Sequence, residues 1–248
     1  MAGSQQVVTV FGDSHSKFFH PTPLQYQRMG VVTPLPYRIN GSHIRGAAVS
    51  GFRQQKSKLN VKERIIAALA DARHLILAFG QVDLELGYYF RNAIKGERYS
   101  PEAYTDWLIG IYASFVDGLT TERCELALKG VNLTVLDPAP FAARYVSKIA
   151  REGTKLSIAE ATKLVRPFIL SEADQNSMHL RFNEQMRELA ISSGVRYFDL
   201  NDGIKDTSQE SPRVADEFRP GPFDHHLTDS LPVRRLHYVR AGEVFGLS

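Results

Sequence analysis

The sequence predicts an α/β protein whose parallel sheet is covered by helices on both faces. Short runs that are apolar on nearly every residue, as buried central strands are, recur along the chain. Between them lie segments with apolar residues at helical spacing, and strands that alternate with helices assemble into a parallel sheet. The 248 residues suit one domain of ordinary size. No internal repeat or low-complexity linker divides them, so a single domain over residues 1–248 is expected.

The first strand is Val7–Phe11 (VVTVF), ended by Gly12. From His20 to Asn40 the chain is rich in Pro and Gly, with Pro21, Pro23 and Pro36 among the breakers, and reads mostly as loop. Tyr37–Ile44 has the composition for a short second strand. Val61–Ala72 places Ile65, Ile66 and Leu69 at helical spacing, and His74–Phe79 (HLILAF) is another buried strand, stopped by Gly80. Ser100-Pro101-Glu102 starts a helix with a capping hydroxyl, a proline at the first helical position and an acid in the first turn. Its apolar period runs through Leu119, and Thr121–Lys129 reads as further helix. Val131–Leu136 (VNLTVL) reads as the third buried strand. Ser157 and Glu160 fit a capping box that opens a short helix. A longer helix covers about Asp174–Ser192, closed by Gly194, and Val195–Leu200 (VRYFDL) is the fourth strong strand. After Asn201 the chain is polar and loop-like until Leu231–Val244.

Hydrophobic residues make up 43% and charged residues 23%, which excludes a disordered or fibrous chain. Lys and Arg number 30 against 27 Asp and Glu, a net charge of +3 scattered along the chain. That balance gives no reason to expect nucleic acid or an anionic membrane as partner. No apolar stretch approaches the roughly 18 residues of a membrane span. The opening Met-Ala-Gly-Ser-Gln-Gln lacks the basic and apolar regions of a signal peptide, so a cytoplasmic location is expected. Cys124 is the only cysteine and forms no intrachain disulfide. It lies in Glu122–Gly130, a run that reads as helix, and is expected to be a buried structural thiol.

In parallel sheets ligands bind at the carboxyl ends of the strands. Two strands end in candidate chemistry: Gly12-Asp13-Ser14-His15 follows the first, and Gly80-Gln81-Val82-Asp83 follows the strand at 74–79. A serine hydroxyl is a weak nucleophile until an imidazole takes its proton. The best base lies near the other end of the chain, in Asp224-His225-His226. Asp224 is placed to fix the tautomer of His226, and His226 to activate Ser14. The competing reading makes Asp13 and Ser14 a turn or helix cap and leaves the two loop histidines solvated.

Phe11-Gly-Asp-Ser-His-Ser16 resembles the first block of the SGNH (GDSL-type) hydrolases. Gly46-Ala-Ala-Val-Ser-Gly-Phe52 is similar to the second block, in the form found in a subgroup associated with polysaccharide-related gene products. Phe79-Gly-Gln-Val-Asp-Leu84 is similar to the FGEID form of block three in that subgroup, and Asp224-His-His-Leu-Thr228 resembles block five. The resemblance implies a three-layer α/β/α sandwich of the flavodoxin-like kind and serine esterase, thioesterase or acyl-transfer chemistry, with no cofactor. It makes Ser14 the nucleophile and His226 the general base. It also makes the N–H groups of Ser14 and of a block-two glycine the oxyanion donors; that glycine is assigned to Gly51, with Gly46 as the alternative. Two departures stand out. Val82 occupies the place of the usual block-three asparagine, leaving Gln81 as a substitute donor or Asp83 as an acceptor that orders the loop. The usual aspartate position is Phe223, whereas Asp224 lies two residues before His226.

Asp13, Gly46, Asp83, His225 and Tyr88 are further candidates to line the site. Tyr88, Tyr89 and Phe90 have rings for a sugar or an acyl chain, with Arg91 able to meet a carboxylate; packing on the sheet accounts for them equally. Arg213, Arg219, Arg234 and Arg235 flank block five, offset in part by Asp216 and Glu217. His15, His20, His43, His74, His179 and His237 are expected to be structural or surface residues. Asp13-x-His15 is also similar to the opening of the calcineurin-like metallophosphoesterases, with Asp83, His225 and His226 as further metal ligands. The two histidine-containing blocks that complete that family's site are missing from the chain. The expected activity is hydrolysis of a small acyl ester, acetyl foremost, on a small molecule or carbohydrate. Transfer of the acyl group to a sugar, and a catalytically weak sugar-binding protein, remain alternatives; oligomeric state is left open.

Overall fold

A computed structural model describes residues 6–32, 36–54, 59–119, 123–136, 139–152, 154–221 and 224–247. Its sheet contains β1 (Gln6–Gly12), β2 (Tyr37–His43), β3 (His74–Ala78), β4 (Glu125–Lys129) and β5 (Arg196–Phe198). The spatial order is β2-β1-β3-β4-β5, and every neighbouring pair is parallel. Alternation explains why the central strands β1 and β3, covered on both faces, are apolar on nearly every residue, whereas the edge strand β2 carries Arg38, Asn40 and Ser42. Val8, Val10, Ile76, Ala78 and Ala127 face α1 (Pro23–Val32) and α8 (Leu231–Glu243). Phe11, Leu75, Leu77, Leu126 and Leu128 face the opposite layer, made by α2 (Val61–Leu69), α3 (Pro101–Asp117) and α6 (Glu172–Ser192). This is the three-layer sandwich that the sequence predicts. Full burial of each large side chain favours the fold by about 1.5–3 kcal/mol.

Strand order reverses between β1 and β3, so the loops after these two strands part and leave a crevice at their carboxyl ends. Two shorter helices, α4 (Ala139–Ala150) and α5 (Ile158–Val165), follow β4; the capping box of Ser157 and Glu160 opens α5 as expected. A single turn, α7 (Asn201–Ile204), follows β5. Among the described residues no helix is long and apolar enough to cross a membrane.

Three expectations are corrected. The Pro-rich stretch after His20 is not mostly loop, because Pro23 opens α1, where a missing N–H costs nothing. Thr22 and Gln25 close a capping box across it, with the Thr22 N–H on Gln25 Oε1 at 2.8 Å and the Gln25 N–H on Thr22 Oγ1 at 3.3 Å. The segment read as helix over Thr121–Lys129 (Thr121 and Glu122 lie outside the described residues) contains strand β4 instead. Its edge polarity belongs to strand ends: Glu125 pairs with Arg196 across the sheet at 2.6 Å, and the Lys129 ammonium is held by Gly130 O and Asn132 Oδ1. Cys124 is buried just before that strand, and burial pushes its thiol up to about 11.

Conversely, Val131–Leu136 is buried but pairs with no strand among the described residues. Side-chain amides take the place of the ladder. The N–H groups of Val131, Asn132, Leu133 and Thr134 donate in turn to Asn183, Gln81, Asn201 and Asn176 at 2.7–2.9 Å. An apolar run of six reads the same in either setting, because burial and not sheet pairing sets its composition.

Candidate active site

The turn after β1 is shaped by two residues. A Cβ on Gly12 would lie 2.4 Å from the Ala78 carbonyl oxygen, so only glycine permits this approach of β1 to β3. Asp13 then caps the 3-10 turn Ser14–Phe19 by accepting the His15 N–H at 2.9 Å. Its other oxygen accepts the Val82 N–H at 3.3 Å and ties the two diverging loops together. Burial opposes the charge on Asp13, but the bonds from His15 outweigh it and hold the carboxyl below its usual range.

Ser14 is thereby presented at the sheet edge, and His226 Nε2 lies 3.0 Å from its Oγ. The His226 Nδ1 lies 2.6 Å from Asp224 Oδ1, which also accepts the His226 backbone N–H at 3.0 Å. That second bond is an Asx turn, and it folds the carboxylate back onto the ring. A two-residue spacing therefore reaches the imidazole; Phe223, the usual position, lies outside the described residues. Although burial raises it, the Asp224 carboxyl sits below its ordinary value because His226 bonds it. An ionised carboxylate only accepts, so the proton is on Nδ1 and the Nε2 lone pair faces the serine hydroxyl. His226 itself is pushed down to about 3, by burial and then by the cationic His15 beside it.

His15 is not the bystander that the sequence reading makes it. Its ring stacks on that of His226 at 4.3 Å and meets that of His225 at 4.4 Å. Behind them is Glu85, fully buried and absent from the sequence-derived candidates. Glu85 Oε2 accepts from His225 Nδ1 at 2.8 Å and lies 3.4 Å from His15 Nε2. Glu85 Oε1 accepts from Gln81 Nε2 at 2.9 Å and from Thr134 Oγ1 at 3.1 Å. Burial alone would raise the Glu85 carboxyl, but the histidine bonds hold it well below its usual range. Burial likewise opposes a charge on His15, yet Asp13 and Glu85 together raise it to about 9. The available signal was an acid between Leu84 and Leu86, in the turn that follows a central strand, since a carboxylate is rarely buried without partners.

The remaining candidates separate clearly. Asp83 is buried and accepts the N–H groups of Val49 and Ser50 at 2.7 and 3.2 Å, so it orders the block-two loop. On a helical turn Asp83 and Glu85 point to opposite sides, which sends one carboxylate to that loop and the other to the histidines. The Gly51 N–H is engaged by the Ala48 carbonyl at 3.0 Å inside a 3-10 turn, which corrects its assignment as an oxyanion donor. Gly46 has a left-handed φ of +74°, and the Ile44 N–H holds the start of its loop on the Gly12 carbonyl at 2.8 Å. Gln81 is not a substitute donor: its amide N–H groups go to Glu85 and to the Asn132 carbonyl. Tyr88 does not line the site either; it is buried against Tyr89 and Tyr104 because its helix face turns to the core. Arg91 is paired with Glu97 at 2.7 Å and lies over Trp107, and Arg213, Arg219 and Arg234 pair with Asp216, Glu172 and Asp229.

His15, His225 and His226 each bring a ring nitrogen within 4.8 Å of the others, which prompts the question of a transition-metal ion. Each of the three rings already has a nitrogen engaged: His226 Nδ1 with Asp224 and Nε2 with Ser14, His225 Nδ1 with Glu85, and His15 Nε2 with the His225 carbonyl. The carboxylates that a two-metal phosphoesterase centre needs are committed to the main chain, since the oxygens of Asp13 and Asp83 accept backbone N–H groups. The donor set does not fit such a centre.

No family model and no curated protein matches the chain. Solved structures do. A GDSL-like lipase from Bacteroides thetaiotaomicron aligns over 98% of this chain and 88% of its own, with a TM-score of 0.54 and 8% identity. A lipase from a goat rumen metagenome aligns over 98% and 100%, with a TM-score of 0.51 and 13% identity. A carbohydrate acetylesterase from Sinorhizobium meliloti aligns over 98% and 100%, with a TM-score of 0.50 and 15% identity. The chain has the SGNH-hydrolase fold.

Proposed function

We propose that the protein is a serine esterase that removes a small acyl group, acetyl foremost, from a carbohydrate. The observation that carries this reading is the line of contacts Ser14 Oγ, His226 Nε2, His226 Nδ1, Asp224 Oδ1 at 3.0 and 2.6 Å. In that geometry Ser14 Oγ attacks the ester carbonyl carbon while His226 Nε2 takes its proton, and Asp224 stabilises the imidazolium that forms. The tetrahedral oxyanion is received by main-chain N–H groups. Ser14 opens its 3-10 turn, where N–H groups have no partner within the turn. Gly46 replaces Gly51 as the second donor, because the Gly51 N–H is already engaged. Collapse of the intermediate breaks the C–O bond, His226 returns the proton to the leaving alkoxide, and water repeats the sequence on the acyl-Ser14 ester. Val82 offers no third donor, so stabilisation rests on the main chain.

The acetylesterase among the fold neighbours supports the choice of substrate class. The test is release of nitrophenol from nitrophenyl acetate, and of acetate from an acetylated xylan, by wild type and Ser14→Ala, each with and without a chelator. Activity lost in Ser14→Ala and indifferent to the chelator supports the reading. Turnover that survives in Ser14→Ala overturns it. Acetyl transfer to an added sugar in preference to water would make the same acyl-enzyme a transferase.

A further inference from the structure

The nucleophile and its base are 212 residues apart in the chain, and their immediate neighbours, His15 and His225, are fastened to one buried group. We propose that Glu85 is a positioning residue that sets the Ser14–His226 geometry by clasping His15 and His225 together. The inference rests on the esterase reading of Ser14 and His226.

Three observations support the clasp. Glu85 has no exposed surface, and both of its oxygens are occupied: Oε2 by the two histidines, Oε1 by Gln81 and Thr134. A group held on four sides in a dry interior has one position, and its bonds are strengthened by the low dielectric. The His15 Nε2 also lies 3.2 Å from the His225 carbonyl oxygen, which fixes the backbone directly before His226. Finally, the His226 ring rests against both clasped rings, at 4.3 Å on His15 and 4.2 Å on His225. Asp224 by contrast is 45% exposed, so its bond alone is a weak anchor against solvent competition.

The clasp also carries charge. His226 faces His15, His225, Asp224 and Lys17, with Tyr145 of α4 behind His225 at 5.0 Å. Of these, His15 is the buried cation, held between Asp13 and Glu85. It opposes a second proton on His226 and keeps the base neutral in mildly acidic solution.

The experiment compares Glu85→Gln and His15→Gln with wild type and Ser14→Ala on nitrophenyl acetate, with folding checked by circular dichroism. Glu85→Gln preserves shape but turns one acceptor into a donor facing an N–H. Its kcat is expected to fall about 10- to 100-fold at a KM within about twofold, the size of effect that a small misplacement produces. A role in folding alone would lower the melting temperature and leave kcat intact. His15→Gln removes the cation, and the acid limb of kcat/KM is expected to rise toward the ordinary histidine range; histidine NMR titration in the Ser14→Ala background reads the same shift without turnover. A folded Glu85→Gln with wild-type kcat overturns the clasp, as does an unmoved His226 titration in His15→Gln if Glu85→Gln does not fold. Full activity in Ser14→Ala instead removes the esterase reading and the clasp with it.

Discussion

Asp83 Oδ2 accepts the Val49 N–H at 2.7 Å across 34 residues of sequence, from inside a fully buried carboxylate. The same carboxylate accepts the Ser50 N–H at 3.2 Å, so the loop of Gly46 is hung from the turn that follows β3. Burial raises the Asp83 carboxyl to about 6, against the pull of these bonds, so it is ionised at neutral pH and accepts at both oxygens. Asp83→Asn presents an N–H₂ to one of these donors. It is expected to cost about 1–3 kcal/mol in chemical denaturation, and to lower ester hydrolysis as the loop loosens.

Gly46 and Gly51 make a contrasting pair. A Cβ on either meets nothing within 4 Å, but only Gly46 has a positive φ, +74°. Gly46→Ala is expected to cost about 1–2 kcal/mol of backbone strain. If its N–H is an oxyanion donor, kcat also falls by about 10-fold or more. Gly51→Ala is expected to leave both stability and rate close to wild type. Equal effects of the two substitutions on kcat would remove Gly46 from the oxyanion site.

Val82 follows β3 where the SGNH resemblance places a donating asparagine, and it is half-buried beside the Asp13 carboxylate. Val82→Asn is expected to raise kcat toward nitrophenyl acetate by about tenfold, a fraction of the 100- to 1000-fold that such a donor supplies elsewhere. An unchanged rate would show that the side chain at 82 does not reach the oxyanion.

Stability should carry the mark of His15. Its folded value is raised from 6.5 to about 9, burial being outweighed by Asp13 and Glu85. Between these values the folded state binds more protons than the unfolded one, so stability falls as pH rises. The contribution is fully present below about pH 6.5 and is lost through about pH 9. A loss of about 3 kcal/mol over this window lowers the melting temperature of a chain this size by about 6–12 °C. In His15→Gln the thermal-shift slope between these pH values is expected to flatten.

The sheet was legible because a strand buried on both faces leaves few polar positions, and Val7–Phe11 and His74–Phe79, with only Thr9 and His74 polar, carry that mark. The turn chemistry of Gly12, Asp13 and Ser14, and the paired histidines at 225 and 226, were legible as residue types that a core does not need. Local composition could not separate β4 from Val131–Leu136: the latter finds its hydrogen-bond partners on side chains of Gln81, Asn176, Asn183 and Asn201, which no periodicity within the segment records. Thr22 and Gln25 did record α1, but the flanking prolines masked a capping box.

By itself the sequence determined the layering of helices on a parallel sheet and the identities of Ser14, His226 and Asp224 as a candidate set, since burial and side-chain chemistry are properties of residues in order. Tertiary structure decided which groups face one another: the Asx turn that brings Asp224 to His226, the Gly51 N–H turned to Ala48, and Glu85 beneath His15 and His225. The reason is that a hydrogen bond depends on angstrom-scale distance and direction. Between residues as far apart as Glu85 and His225, only the packed sheet and its crossovers set those quantities.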